Sequence, residues 1–195
     1  MLKPATFEHS VPLGGKYTVQ VGLMQMAAHA TTFDLGAEAK LSITSGTIWV
    51  YDADQEVTGA VDLATSTTVK DASLAASADN LWKYLVLRFT SGTQLRDREW
   101  FITSAGSDGT LTLDVAGVPL PVTPAVGDTF ALPGRALLGP TAMTVGSGIA
   151  YYQVGPANGI TTTKGRKVCR CLLTYTTASG HVDGGEAVWI FHVTD

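Results

Sequence analysis

The chain has 195 residues, of which 45% are hydrophobic and 15% charged, and its formal net charge is −4. That apolar content suits a packed core in one domain or two small ones and excludes wholesale disorder. Lys and Arg are thinly spread, so neither a nucleic-acid binder nor an anionic-membrane binder is expected.

Thr, Val, Ala and Gly are abundant, a balance that favours strands and tight turns. No run of about eighteen apolar residues occurs, so no transmembrane helix is expected. The opening Met1–Glu8 lacks a basic stretch before an apolar core, so no secretory signal is expected. Residues 1–15 read as an extended N-terminal arm, held open by Pro4 and Pro12. Gly14-Gly15 then turns into a strand over Lys16–Leu23, and Leu23–Ala30 leaves a short helical turn open. Thr47–Asp52 reads as a strand, Ala53–Glu56 as an acidic turn, and Val57-Thr58 as the returning strand. Asp62–Ser77 reads as a connection, with one helical turn within Ser73–Asn80.

The next segment alternates most clearly. Trp82–Thr90 places Tyr84, Val86 and Arg88 on one face and Leu85, Leu87 and Phe89 on the other. A turn at Ser91-Gly92-Thr93 leads to a strand over Arg98–Ser104. Gly106–Gly109 makes a tight hairpin, and Thr110–Val115 returns with Leu111 and Leu113 inward. A crossing through Pro119, Pro121 and Pro124 reaches the Gly127-Asp128 turn and a strand at Thr129–Leu132. Four strands in that span predict a small β-barrel or curled sheet. Ile149–Val154 and Lys167–Thr176 are further strands, the latter with Cys169, Cys171, Leu173 and Tyr175 on one face. Glu186–Val193 closes the series like the last strand of an Ig-type sandwich.

The residues that carry chemistry fall into structural patterns. Cys169 and Cys171 share a strand face, which suits neither a disulfide nor a zinc site and predicts two buried small side chains. Gly146-Ser147-Gly148 lacks the surroundings of a nucleophile elbow, and His9, His29, His181 and His192 sit in no catalytic motif. Asp52 and Asp54 could contribute to a calcium site but read first as a polar turn, as do Asp108 and Asp128 beside glycines. No catalytic, metal or cofactor residue is therefore assigned, and the chain is expected not to be an enzyme. Trp49 and Trp189 lie in apolar strands and read as core. Trp82 stands at a strand start, and Tyr151 and Tyr152 are adjacent, so one of the two must face outward. Trp82, Tyr151, Tyr152 and Phe7 of the arm are the candidate interface residues.

Asp71–Leu132 resembles a small β unit found in bacteriophage structural proteins. The resemblance rests on Phe89-Thr90-Ser91-Gly92, the Arg98–Ser104 strand, the Thr110–Asp114 return and the ending Pro124-Ala125-Val126-Gly127-Asp128-Thr129-Phe130. The segments around it, Thr47–Ala60, Met143–Tyr152, Gly165–Thr176 and Glu186–Val193, resemble a phage Ig-like domain. The expected fold is thus all-β, an Ig-like β-sandwich over 16–65 and 135–195 with a small β-barrel-like unit inserted at 66–134. The resemblance implies a virion structural protein, made in the host cytoplasm and resident in the virion. A capsid decoration protein is the leading reading, with phage capsid or other virion proteins as partners and a homo-oligomeric state. Tail, neck or baseplate attachment is the runner-up, followed by a carbohydrate-binding adhesion module, although no sequence feature supports host glycans.

Overall fold

Residues 165–176 set the pattern for the whole molecule. Val168, Arg170, Leu172 and Thr174 are half-buried, while Cys169, Cys171, Leu173 and Tyr175 are buried. A period of two lays one face of a strand on a core. The same alternation buries Leu87 and Phe89, and Leu111 and Leu113, on the expected faces.

A computed structural model describes residues 6–21, 23–25, 39–76, 79–176, 180 and 182–195. Over these residues the protein is all-β. The strands are β1 (Thr6–Pro12), β2 (Tyr17–Val21), β3 (Leu23–Gln25), β4 (Ala39–Asp52), β5 (Val57–Ala60), β6 (Leu63–Ala64), β7 (Thr68–Lys70) and β8 (Val86–Phe89). They continue as β9 (Glu99–Ala105), β10 (Thr110–Leu113), β11 (Thr129–Leu132), β12 (Arg135–Ala142), β13 (Thr144–Gly146), β14 (Ile149–Val154), β15 (Gly165–Thr176) and β16 (Val182–Thr194). The chain divides into two compact units, Met1–Val50 with Thr141–Asp195, and Tyr51–Pro140.

In the first unit one sheet runs β1-β16-β15-β4, with β3 also on β4, and a second runs β13-β14-β2. The two sheets meet at Gly46 of β4. A Cβ there would lie 3.1 Å from Leu173 Cδ2 of β15, 3.1 Å from Met143 Sδ and 3.2 Å from Ala150 Cβ of β14. Both sheets feed the core, with Val19, Ala150 and Val154 from one and Ile43, Cys169, Cys171 and Phe191 from the other. This is sandwich packing. Ser147 (φ +53°) and Gly148 (φ +74°) form the two-residue turn between β13 and β14, so Gly146-Ser147-Gly148 is a hairpin of the I′ type.

The expected arm behaves differently from a free segment. Thr6–Pro12 is extended, but it pairs in parallel with β16, from Thr6↔Val188 to Pro12↔Thr194. The unpaired backbone groups along the edge of β16 find partners in this segment. Pro12 ends the strand, where a missing N–H is tolerated. Of the helical turn left open at Leu23–Ala30, residues 23–25 are strand β3 and residues 26–30 lie outside the described residues.

The second unit is a curled seven-stranded sheet in the order β5-β11-β8-β9-β10-β7-β6. Its first and last strands are separated in sequence by Val61 and Asp62 alone. The Val61 N–H donates to Asp128 O at 2.8 Å and the Gly127 N–H donates to Val61 O at 2.8 Å, which prolongs the β5–β11 ladder. One residue on, the Asp62 N–H donates to Lys70 O at 2.8 Å and opens the β6–β7 ladder. A single bent stretch of chain therefore serves both ends of the sheet, which curls to bring them together. Leu87, Phe89, Ile102, Leu111, Phe130 and Leu132 fill the interior, all fully buried. Trp100 meets Phe89 edge-on, with ring centroids 5.7 Å apart.

Two local expectations change here. Val57–Ala60 is not the return partner of β4. It pairs with β11, because Gly59 leaves the space that the Phe130 ring occupies, and a Cβ at 59 would sit 2.5 Å from Phe130 Cζ. Trp82–Tyr84 is a turn rather than a strand start, since Asn80 (φ +62°) and Tyr84 (φ +72°) leave the extended region. The helical turn expected near Ser73 is a 3-10 turn at Ala72–Leu74, capped by the Asp71 carboxylate through the Ser73 N–H at 2.8 Å.

Candidate interaction surface

The four residues singled out for an interface have separate fates. Phe7 has its backbone in β1 opposite Trp189, and its side chain lies outside what is described. Trp82 is a correction. It is 8% exposed, and its indole N–H donates to Leu74 O at 2.8 Å, so the turn folds the ring inward and satisfies its donor. Tyr152 is half-buried, with Asn158 Nδ2 donating to its hydroxyl at 3.5 Å. Tyr151 takes the opposite face of β14, as a period of two requires, and is 38% exposed. Its ring stands beside Gly146, whose hydrogen leaves it room. Tyr151 alone among the three described side chains offers an exposed aromatic surface.

The titratable groups are occupied with structure. The Asp54 N–H donates to Asp52 Oδ1 at 3.3 Å, which makes that acidic pair a polar turn. Asp128 accepts from the Ala125 N–H at 2.9 Å. Asp108 accepts from Lys70 Nζ at 2.8 Å and from the N–H and hydroxyl of Thr110, each at 3.1 Å. The Lys70 hydrogen bond, followed by those from Thr110, lowers its carboxyl to about 2. Burial pushes the Cys171 thiol up to about 12, and burial with the adjacent Cys171 thiol pushes Cys169 well above the ordinary range. Both are therefore protonated, inert core groups. Lys167 is fully buried, its ammonium donating to Thr163 Oγ1 at 3.1 Å and Lys164 O at 3.3 Å. Among the described residues, no three His, Cys, Asp or Glu side chains are grouped to hold a metal.

Further exposed apolar residues lie where the sequence showed only a crossing. Asp114–Asp128 connects β10 to β11, and between the two terminal aspartates it contains no charged residue. Its base is tied down. The Ala116 N–H donates to Asp114 Oδ1 at 3.2 Å, the Trp100 indole N–H donates to Val118 O at 2.7 Å, and Asp128 holds Ala125 from both sides. Along it Val118 is 58%, Val122 38% and Val126 75% exposed, while Leu120 is half-buried and Pro124 buried. Pro119, Pro121 and Pro124 fix φ and remove backbone donors, so the segment cannot join a sheet. Isolated exposed valines are ordinary, and three on one anchored loop are a candidate contact surface. The signal in the sequence was the missing charge over residues 115–127, which the prolines disguised as a simple connection.

No protein-family model, no curated protein and no solved structure matches the chain.

Proposed function

We propose that this protein is a structural subunit of a bacteriophage virion, in the first instance a capsid decoration protein that binds the outer shell as a symmetric homo-oligomer. The observation that carries this reading is the loop anchored by Asp114 and Asp128, which exposes Val118, Val122 and Val126. Apolar surface kept in water by a rigid base is best explained by a protein partner that covers it. The resemblance of Asp71–Leu132 to phage structural β units supplies the class of partner, an apolar groove between capsid subunits. We further read the sandwich as Ig-like, because β15 and β16 are adjacent antiparallel final strands next to β4.

The test is co-sedimentation of the purified protein with empty, undecorated phage capsids. Saturation at a fixed ratio to capsid subunits is the expected result. It should be lost when Val118, Val122 and Val126 are all replaced by Asp, with circular dichroism unchanged. Assembly onto tails or necks instead would move the protein to the tail, neck or baseplate class. Binding to neither heads nor tails would overturn the virion reading.

A further inference from the structure

The loop between β14 and β15 carries the chain's one Asn-Gly step. Of the two asparagines, Asn80 precedes Leu81 and Asn158 precedes Gly159. An asparagine before glycine is prone to cyclise, because glycine's freedom lets its amide nitrogen fold back onto the asparagine side chain. Gly159 is exposed, at φ +74°, and a Cβ there would meet nothing within 4 Å, so neither bulk nor burial shields the step. Hydrogen bonds restrain it instead. Pro156–Asn158 is a 3-10 turn. Asn158 Oδ1 accepts from the Gly155 N–H at 2.9 Å, and Asn158 Nδ2 donates to Gln153 O at 3.1 Å and to the Tyr152 hydroxyl at 3.5 Å. The Gly159 N–H, whose nitrogen is the attacking atom, donates to Pro156 O at 3.0 Å. Both reacting groups are therefore pinned while the loop is closed.

We propose that Asn158-Gly159 is a modification site gated by the fold: the closed loop protects it, and opening of the loop converts Asn158 to isoaspartate. In the open loop Gly159 N attacks Asn158 Cγ and gives up its proton. The Cγ–Nδ2 bond breaks, ammonia leaves with Nδ2, and a cyclic imide joins the two residues. Water then opens the ring. Hydrolysis at Cγ gives aspartate, whereas hydrolysis at the backbone carbonyl leaves the chain running through Cγ as isoaspartate. Either product loses both Nδ2 hydrogen bonds and gains a negative charge. Isoaspartate also adds a carbon to the backbone, which breaks the spacing of the 3-10 turn. The effect reaches the turn between β1 and β2, because the same loop holds it. Gly159 O accepts from the Thr162 hydroxyl at 2.7 Å. Beside it, the Gly14 N–H donates to Thr161 O and the Thr161 hydroxyl donates to Gly15 O, each at 2.8 Å. A Cβ on Gly155 would lie 3.4 Å from Lys16 Cγ. Conversion at Asn158 thus loosens Pro12–Gly15 as well.

The test incubates the full-length chain at mildly alkaline pH, folded and in urea, and measures isoaspartate at position 158 by peptide mapping. It should form in both, at least about tenfold more slowly in the folded chain, since reaction there waits on local opening. Thr161→Val removes a tie to Gly15 without touching Asn158. It should bring the folded rate towards the unfolded one, with circular dichroism unchanged. Hydrogen exchange at the Gly14 and Gly15 amides should quicken in folded chains that carry isoaspartate 158. Equal rates in folded and urea-unfolded chains would overturn the gating, and so would a failure of the unfolded chain to form isoaspartate at 158. Unchanged exchange at Gly14 and Gly15 after conversion would overturn the link to the turn.

Discussion

The two units solve the same problem in opposite ways. A β-sheet has edges, and each edge is a row of unpaired backbone groups. In the Tyr51–Pro140 unit, Val57–Ala64 bends at Val61-Asp62 and bonds to β11 on one side and β7 on the other, so the sheet curls until its ends are served by one piece of chain. In the other unit the edge of β16 is covered by β1, laid on in parallel and followed by the turn at Pro12–Gly15. Closure through adjacent residues is local and hard to reverse. The difference teaches that one sheet closes through neighbouring residues, whereas the other needs a strand from far along the chain to cover its edge.

The largest effect should come from the closed unit's interior. Phe130→Ala removes a fully buried ring that faces Phe89 across the ladder, at a cost of about 3–5 kcal/mol. Denaturant unfolding should then show the Trp82 and Trp100 signals lost before those of Trp49 and Trp189. An equal shift in all four would break the picture of two separate cores.

Asp71→Ala comes next. Its carboxylate accepts from the Ala60 N–H at 2.9 Å and the Ser73 N–H at 2.8 Å, tying β5 to the 3-10 turn beside the bend. Leaving those donors unpaired costs about 1–3 kcal/mol, readable as a lower denaturation midpoint for this unit alone.

The sandwich has a smaller, pH-dependent signature in Cys169 and Cys171. Below pH 9 both thiols are protonated whether the chain is folded or unfolded. Above it the unfolded thiols ionise, while burial holds the folded ones neutral, Cys171 up to about 12. The unfolded state then binds fewer protons, so stability falls as pH rises, by at most about 1.4 kcal/mol per pH unit for each thiol. Unfolding midpoints across pH 8–11 should decline in the sandwich, and Cys171→Ala should flatten the decline. An unchanged slope in that variant would assign alkaline loss to other groups.

The smallest effect is expected at Asp108. Its carboxyl is lowered to about 2 by Lys70 and Thr110, so its contribution is present above 3.8 and lost as pH falls towards 2. The pair is solvent-exposed and screened. Asp108→Asn should lower the melting temperature slightly at low salt and not at all in molar salt.

Much of this fold was legible in the residues because it is local. Period-two alternation located β8, β10 and β15, and the positions of Leu87, Phe89, Cys169 and Cys171 inside followed from it. A Gly-rich turn located the hairpin at Gly106–Gly109, whereas the hairpin at Ser147-Gly148 emerged only in the structure. The misplaced pieces are those where a distant partner decided. Trp82 looked like a strand start with an open side, but Leu74 O lay within reach of its indole. Val57–Ala60 looked like a return strand to β4, but Gly59 had room only for Phe130.

The sequence by itself determined which segments extend and which faces turn inward, since strand pleat and side-chain polarity are properties of neighbouring residues. Tertiary structure alone decided which strands pair and which apolar residues stay outside. Sheet partners are chosen among all edges in the molecule, and exposure depends on what the rest of the chain covers. That is why an apparent arm became the parallel neighbour of β16, and why an unremarkable crossing between β10 and β11 exposes Val118, Val122 and Val126.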